Sequence, residues 1–341
     1  MSSQGAERLP AGTLTLERIL QTVVYFRSWI ILVTLLLFFS VMLPPFFQSY
    51  SFYNFLLLAA PLSIAAIGQS FCLISKNIDL SVGNLALLTG YIVAWLSAED
   101  PTYASGLRLD PILAIVIALI IATLLGLANG LLVAKIGLHP FLATIATSLI
   151  FRSAALVMAE GHTISGLPEK VFSDLGRGKT LGVLPYCFIL AIILYVIATL
   201  ILNRTMFGWH VYATGGRRYS AYITGINVKK TIIFVFMLSG LFAGISGVVL
   251  TAKTQAATIT TAINYEFYTI GVAVLGGISI TGGVGELPNA LVGALIFGAI
   301  EIALSLSGIS VFWIRVVEGV VIMIAVITDF VFSYLMRRRV S

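Results

Sequence analysis

The chain has 341 residues, 59% of them hydrophobic and only 10% charged, with a net charge of +6 at neutral pH and a mean hydropathy of +1.04. A water-soluble domain of this size cannot hide so much apolar surface, and a nucleic-acid-binding protein would not scatter its basic residues between long apolar runs. A bilayer-spanning helix needs about 20 apolar residues, so the chain reads as an all-α polytopic membrane protein.

In chain order, residues 1–28 form a polar N-terminal segment that does not read as a cleavable signal. Within it, Leu14 to Trp29 alternates apolar residues with Glu17, Arg18, Gln21 and Arg27, the pattern of a helix lying along the membrane surface. About ten spans follow, at 29–47, 53–75, 82–98, 111–134, 140–159, 182–202, 231–252, 265–281, 287–306 and 311–334. They make residues 29–334 one transmembrane domain, with 335–341 a basic tail. If the N-terminus is inside, the inner segments collect thirteen Lys and Arg, among them Lys76, Lys135, Lys229, Lys230, Arg337, Arg338 and Arg339. The outer loops keep five: Arg108, Lys170, Arg177, Lys179 and Lys253. Cytoplasmic loops carry the basic excess, which puts both termini in the cytoplasm.

Two loops are long. The outer one, Glu160 to Leu181, has room for a short surface helix. The inner one, residues 203–230, is the most basic, and its centre, Tyr219 to Ile223, lies between Gly215-Gly216 and Gly225. Glycines on both sides predict a short helix with a breaker at each end, a form suited to docking a cytoplasmic partner; an ordinary basic loop would share this composition. A weak internal echo joins Ile78 to Gly83 with Ile278 to Gly285, both polar, glycine-bearing breaks on the inner side. Repeated halves with broken helices are common in transporters.

Enzymatic readings fail. Gly244-Ile245-Ser246-Gly247 has the form around an intramembrane serine nucleophile, but His139, His162 and His210 all map to the membrane faces and supply no base. Small residues at that spacing, like Gly240 to Gly244 and Gly126 to Gly130, instead permit close helix packing. Ser173 to Thr180 resembles a phosphate loop but lacks its first glycine and lies outside. No residue cluster suits a metal, and Cys72 and Cys187 sit in separate apolar segments.

Ionisable groups inside spans are costly and point to function or to interhelical pairing. Arg152, Glu301 and Glu318 lie deep, with Arg315 and Asp329 nearer the ends of the last span. Arg315 and Glu318 are three apart and can pair on one helix face. Arg152 needs an anion or carbonyls, with Glu301 and Glu318 as candidate partners. Asn129, Thr144, Thr147 and Ser148 could offer neutral hydrogen bonds to a polyol. Mid-membrane acidic groups are few, which counts against a proton- or sodium-driven secondary carrier. Asp79 is expected to cap the third span, since a carboxylate suits a helix N-terminus.

Four stretches together resemble the permease subunits of bacterial ribose-type ABC importers, which carry sugars and related polyols. They are Asn77 to Gly83; Gly126 to Gly130 with Val133-Ala134-Lys135, Pro140 to Thr144 and Arg152; Phe207-Gly208, Tyr212 to Gly216 and Thr224 to Asn227; and Tyr265-Glu266, Gly276 to Ser279 and Gly282 to Gly285. The resemblance covers about residues 50 to 330. It implies a pore formed with a second copy or a similar permease. A cytoplasmic ATPase subunit would bind ATP and Mg, this chain would carry no cofactor, and a periplasmic binding protein would deliver solute. It implies a bacterial inner-membrane location, with lipid but no nucleic acid as a partner. It further implies that Tyr212, Gly215, Gly216, Arg217, Arg218, Ala221 and Gly225 belong to the coupling loop. Asn129, Arg152 and Glu266 are then expected near the path, and Asp79, Ser81, Gly83, Gly276 and Gly277 as motif residues.

The chain departs from the family pattern at three points. Lys76-Asn77 stands where two glycines usually precede the Ile-Asp-Leu-Ser motif, Arg217 where an asparagine is common, and Phe267-Tyr268 where Leu-Asp is common. The solute could therefore be a sugar other than ribose, a nucleoside or a signalling furanose.

Overall fold

The computed structural model describes the backbone of residues 26–340 and the side chains of residues 26–331. The expected surface helix from Leu14 lies almost wholly outside the described residues. Thirteen helices run in chain order: α1 (Arg27–Met42), α2 (Ser49–Ile74), α3 (Val82–Ser97), α4 (Pro111–Leu131), α5 (Pro140–Met158), α6 (Glu169–Arg177), α7 (Tyr186–Arg204), α8 (Met206–Gly216), α9 (Arg218–Ile223), α10 (Val228–Thr254), α11 (Tyr265–Leu275), α12 (Leu287–Leu306) and α13 (Val311–Val340). The strands described are a two-residue pair, Lys179–Thr180 against Leu184–Pro185, at the outer end.

Each of the ten expected spans corresponds to one helix. Seven are long and apolar enough to cross a membrane, counting α4 with the π turn that extends it to Ile136; α1, α3 and α11 are shorter. Residues 29–47 are not one helix, because Pro44 and Pro45 lack amide donors and turn the chain into a 3₁₀ segment, Pro44–Phe47. The expected span 265–281 also needs correction: its helix stops at Leu275. Gly276 and Gly277 end it, and Gly277, Gly282 and Gly283 all take positive φ. The glycine pair Gly215-Gly216 completes α8 rather than breaking the chain, and the break falls at Arg217.

The layering follows side-chain size. α2 is the central post, with 94% of its most apolar stretch buried, and α10 follows at 67%; the corresponding stretches of α4, α5 and α13 are 22%, 28% and 17% buried and form the outer ring. Glycine lets α4 and α10 touch. A Cβ on Gly126 would strike the Phe236 carbonyl, and one on Gly240 would lie 3.0 Å from the Gly126 Cα. Ser246 ties α10 to α2 instead: its hydroxyl donates to the Pro61 carbonyl at 2.7 Å, and Ser246 is fully buried.

The loops sort onto two ends as the charge pattern requires. At one end Tyr91 bonds the His162 carbonyl, Ile164 bridges Ala257, and Arg177 bonds the Lys253 carbonyl. At the other, Gly283 donates to the Ile74 carbonyl and Asp329 accepts from Ser279 and Ile280. These are the expected outer and inner loops respectively.

Candidate functional site

The inner end carries a groove of about 770 Å³ between Lys76, His139 and the α8–α9 junction. Its floor is set by how helices stop. α2 ends in a Schellman motif: Asn77 donates to the Cys72 carbonyl and Lys76 to the Leu73 carbonyl, with Lys76 at φ 60°. α9 ends the same way, Ile226 on Ala221 and Gly225 on Tyr222, with Gly225 at φ 86°. α11 repeats it with Ile278 on Ala273 and Gly277 on Val274. Lys76 therefore occupies a left-handed position that favours glycine, which accounts for the family's glycine there. Lys76→Gly is expected to raise the thermal unfolding midpoint in detergent, by a stabilisation of about 1 kcal/mol; a lowered midpoint would show that the side chain's contacts outweigh the strain.

The expected coupling residues meet this floor. Arg218 donates to the Lys76 carbonyl at 3.1 Å and to Asn77 Oδ1 at 2.7 Å. Gly215 lies so close to the end of α2 that a Cβ would strike the Ile74 carbonyl, and would come within 2.7 Å of the Gly283 amide. Tyr212 donates to the Gly285 carbonyl at 2.7 Å; burial, helped by the Glu286 carboxylate, pushes its phenol up to about 12, so it stays a neutral donor. Ala221 is buried, whereas Gly216, Arg217 and Arg218 are exposed. The α8–α9 hairpin thus touches both chain breaks of the echo, the one before α3 and the one before α12.

From the groove the first break runs inward. Asp79 is buried and accepts three hydrogen bonds: the Ser81 amide at 2.9 Å, the Ser81 hydroxyl at 2.6 Å, and the Ser239 hydroxyl of α10 at 2.7 Å. It does not cap α3 as expected. Ser81 holds the N-cap position, and the carboxylate braces the turn before it. Asn129 of α4 is fully buried and donates to the Ser81 hydroxyl at 2.9 Å, while the Leu80 amide donates to Thr144 of α5 at 3.0 Å. Asn84 donates to Ser148 one turn on. The motif is therefore tied to α4, α5 and α10 at once.

Gly83, in the first turn of α3, abuts the first turn of α11. A Cβ there would strike the Glu266 carboxylate and stand 3.0 Å from the Ala262 carbonyl. Because α3 enters from the inner side and α11 from the outer, two helix N-termini meet inside the protein with Glu266 between them, a position where helix dipoles favour a carboxylate. Arg152 on α5 is half-buried and within electrostatic reach of Glu266, not paired with Glu301 or Glu318. Glu318 instead pairs with Arg315 at 2.8 Å, as the three-residue spacing predicts. Gly276 packs α11 on α12, where a Cβ would strike the Asn289 carbonyl, and Gly277 lies beside the Arg27 guanidinium. Sequence reading missed Ser239, a lone hydroxyl in an apolar run 160 residues from Asp79, which no spacing rule connects to it.

Residues 51–326 match the family model described as branched-chain amino acid transport system / permease component. The chain is 37% identical to the ribose import permease protein RbsC of Bacillus subtilis over 291 residues, 85% of this chain and 88% of the relative. It is 34% identical to the D-allose transport system permease protein AlsC of Escherichia coli, covering 78% and 79%. The L-arabinose transport system permease protein AraH of Escherichia coli is 32% identical, covering 78% of each. No solved structure matches the chain. With four motifs in order and ten apolar helices, the chain belongs to the ribose-type ABC sugar importer permeases, transport subunits that are not themselves enzymes.

Proposed function

We propose that this chain is the pore-forming subunit of an ATP-driven, binding-protein-dependent importer of a sugar or related polyol in a bacterial inner membrane. It pairs with a second copy or a similar permease. A separate cytoplasmic ATPase binds ATP and Mg, and a periplasmic binding protein delivers the solute. The observation that carries the coupling part of this reading is the grip of the α8–α9 hairpin on both chain breaks. An ATPase that moves α9 pulls on Asn77 through Arg218, and Asn77 leads by two residues to Asp79 and the start of α3. The same motion drives Gly215 and Tyr212 against Gly283 and Gly285, the lead into α12. The abutting starts of α3 and α11, with Glu266 and Arg152 beside them, then serve as the moving part of the passage.

The test is replacement of Arg217 and Arg218 together by glutamate, followed by purification in mild detergent and uptake by proteoliposomes with ATP inside. Arg217 is exposed and Arg218 presents the hairpin to the groove. Charge reversal is expected to strip the ATPase from a permease that remains monodisperse, and to abolish ATP-driven uptake. Retention of the ATPase at wild-type stoichiometry, with normal uptake, would remove the hairpin from the docking surface.

A further inference from the structure

The outer end holds a second polar cavity, unconnected with the hairpin. It encloses about 410 Å³ between α2, α10, α11, α12, α13 and the 258–263 turn, all within one chain. Small-molecule sites commonly fall between roughly 300 and 1,000 Å³. Four charged side chains line it: Lys253, Glu301, Arg315 and Glu318.

Arg315 and Glu318 are already engaged. Arg315 Nη1 donates to Glu318 at 2.8 Å and to the Tyr268 hydroxyl at 3.2 Å, and its guanidinium lies over the Tyr268 ring, 5.5 Å from the centroid. The Glu318 side chain is 3% exposed and that of Arg315 47%, so the rest of the guanidinium faces the open space. Lys253 and Glu301 differ. They feel each other electrostatically, yet neither side chain makes a hydrogen bond or an ion pair within 4.0 Å among the described residues. A purely structural ion pair closes to contact, because half-buried charge left unpaired is costly. Here an ammonium and a carboxylate stand apart across a cavity.

Two cations and two anions cancel, so the lining has no net charge with which to select an ion. It does alternate strong donors and acceptors, and a vicinal diol, whose hydroxyls both donate and accept, can satisfy both kinds. Tyr265 and Tyr268, edge to face at 6.4 Å, supply aromatic surface for the carbon side of a ring. We infer that this cavity, walled by Lys253, Glu301, Arg315 and Tyr268, is an outward-facing binding site for a neutral aldose within a single permease chain. The choice of ligand class rests on the sugar-import reading; the location does not.

Equilibrium dialysis tests it, using the full-length chain in nanodiscs with radiolabelled D-ribose, D-allose and L-arabinose, without ATPase or binding protein. Saturable binding of at least one sugar is expected, weakened about tenfold or more by Glu301→Gln and by Lys253→Met, each removing a charge-assisted hydrogen bond. As a check independent of variant folding, the bound sugar should slow acylation of Lys253 in the wild type, read by mass spectrometry. Absence of saturable binding for all three sugars, binding unchanged in both variants, or an unprotected Lys253 would overturn the site. Protection by glycerol phosphate alone would assign the cavity to a lipid headgroup and overturn it equally. Wild-type proteoliposomes carrying the ATPase and binding protein separate the two readings. Uptake without binding by the isolated chain sinks the site and leaves the importer standing, whereas binding without ATP-driven uptake does the reverse.

Discussion

Replacing Gly215 with valine is expected to eliminate transport while leaving most of the membrane domain folded. The glycine sits at the end of α8, pressed between the last carbonyl of α2 and the glycine turn before α12, where even a methyl group would strike the Ile74 carbonyl. Both walls are backbone, and they are bonded to each other: the Gly283 amide donates to that carbonyl at 2.8 Å. Neither can rotate away like a side chain, so the hairpin itself must lift. Overpacking against a fixed wall costs roughly 1–3 kcal/mol, and the lifted hairpin would also lose the Tyr212 bond to Gly285 and the Arg218 bonds to Lys76 and Asn77. The damage stays local because α8 contributes little to the packing around α2 and α10. ATP-driven uptake and ATPase co-purification should both vanish while the variant remains monodisperse in detergent. A Gly215→Val permease that imports at the wild-type rate would show that the hairpin does not transmit motion through this contact. Gly216, one residue on, has nothing within 4 Å of its added Cβ, so Gly216→Ala serves as the tolerated control.

The ten membrane segments were legible from composition because bilayer thickness imposes a length on every apolar run. Which loops share an end was legible from Lys and Arg, and the loops cluster at two ends in the pattern those charges predict. Helix length was less so. Gly276 to Thr281 carries no charge and continues the apolar run with Ile278 and Ile280, and hydropathy cannot tell a helix from a glycine turn with the same side chains. The Arg315–Glu318 pair was readable because both residues ride one helix. Arg152 was not: its electrostatic neighbour, Glu266, comes from a helix start 114 residues away, brought near only because α3 and α11 abut at Gly83. Motif residues announced that Asn77 to Gly83 matters. What the motif holds, namely Ser239, Asn129 and Thr144 on three other helices, is tertiary information that single-chain spacing does not carry.

Asp79 is where the loss of a few atoms should cost most in stability. Asp79→Ala would leave the Ser81 amide, the Ser81 hydroxyl and the Ser239 hydroxyl without their acceptor, in a region where Ser81 and Ser239 are fully buried. An orphaned buried polar group costs roughly 1–3 kcal/mol, and hydroxyls can swivel toward other acceptors more readily than an amide, so several kcal/mol is the expected total. The Ser81 hydroxyl also accepts from Asn129, so the damage spreads to α4. Asp79→Asn should recover much of it: its oxygen can keep the Ser81 bonds, and its amide can donate to a Ser239 hydroxyl turned round to accept. Thermal unfolding in detergent should therefore rank wild type above Asp79→Asn and Asp79→Ala last, with uptake falling in the same order. Ser239→Ala then separates bracing from bulk. If Asp79 acts through that bond, Asp79→Ala and Ser239→Ala will be less than additive, because the double variant no longer contains an unpaired Ser239 hydroxyl. Strict additivity, or an Asp79→Ala chain that unfolds and transports like wild type, would reduce the carboxylate to a bystander and leave α3 anchored by Asn129, Thr144 and Ser148.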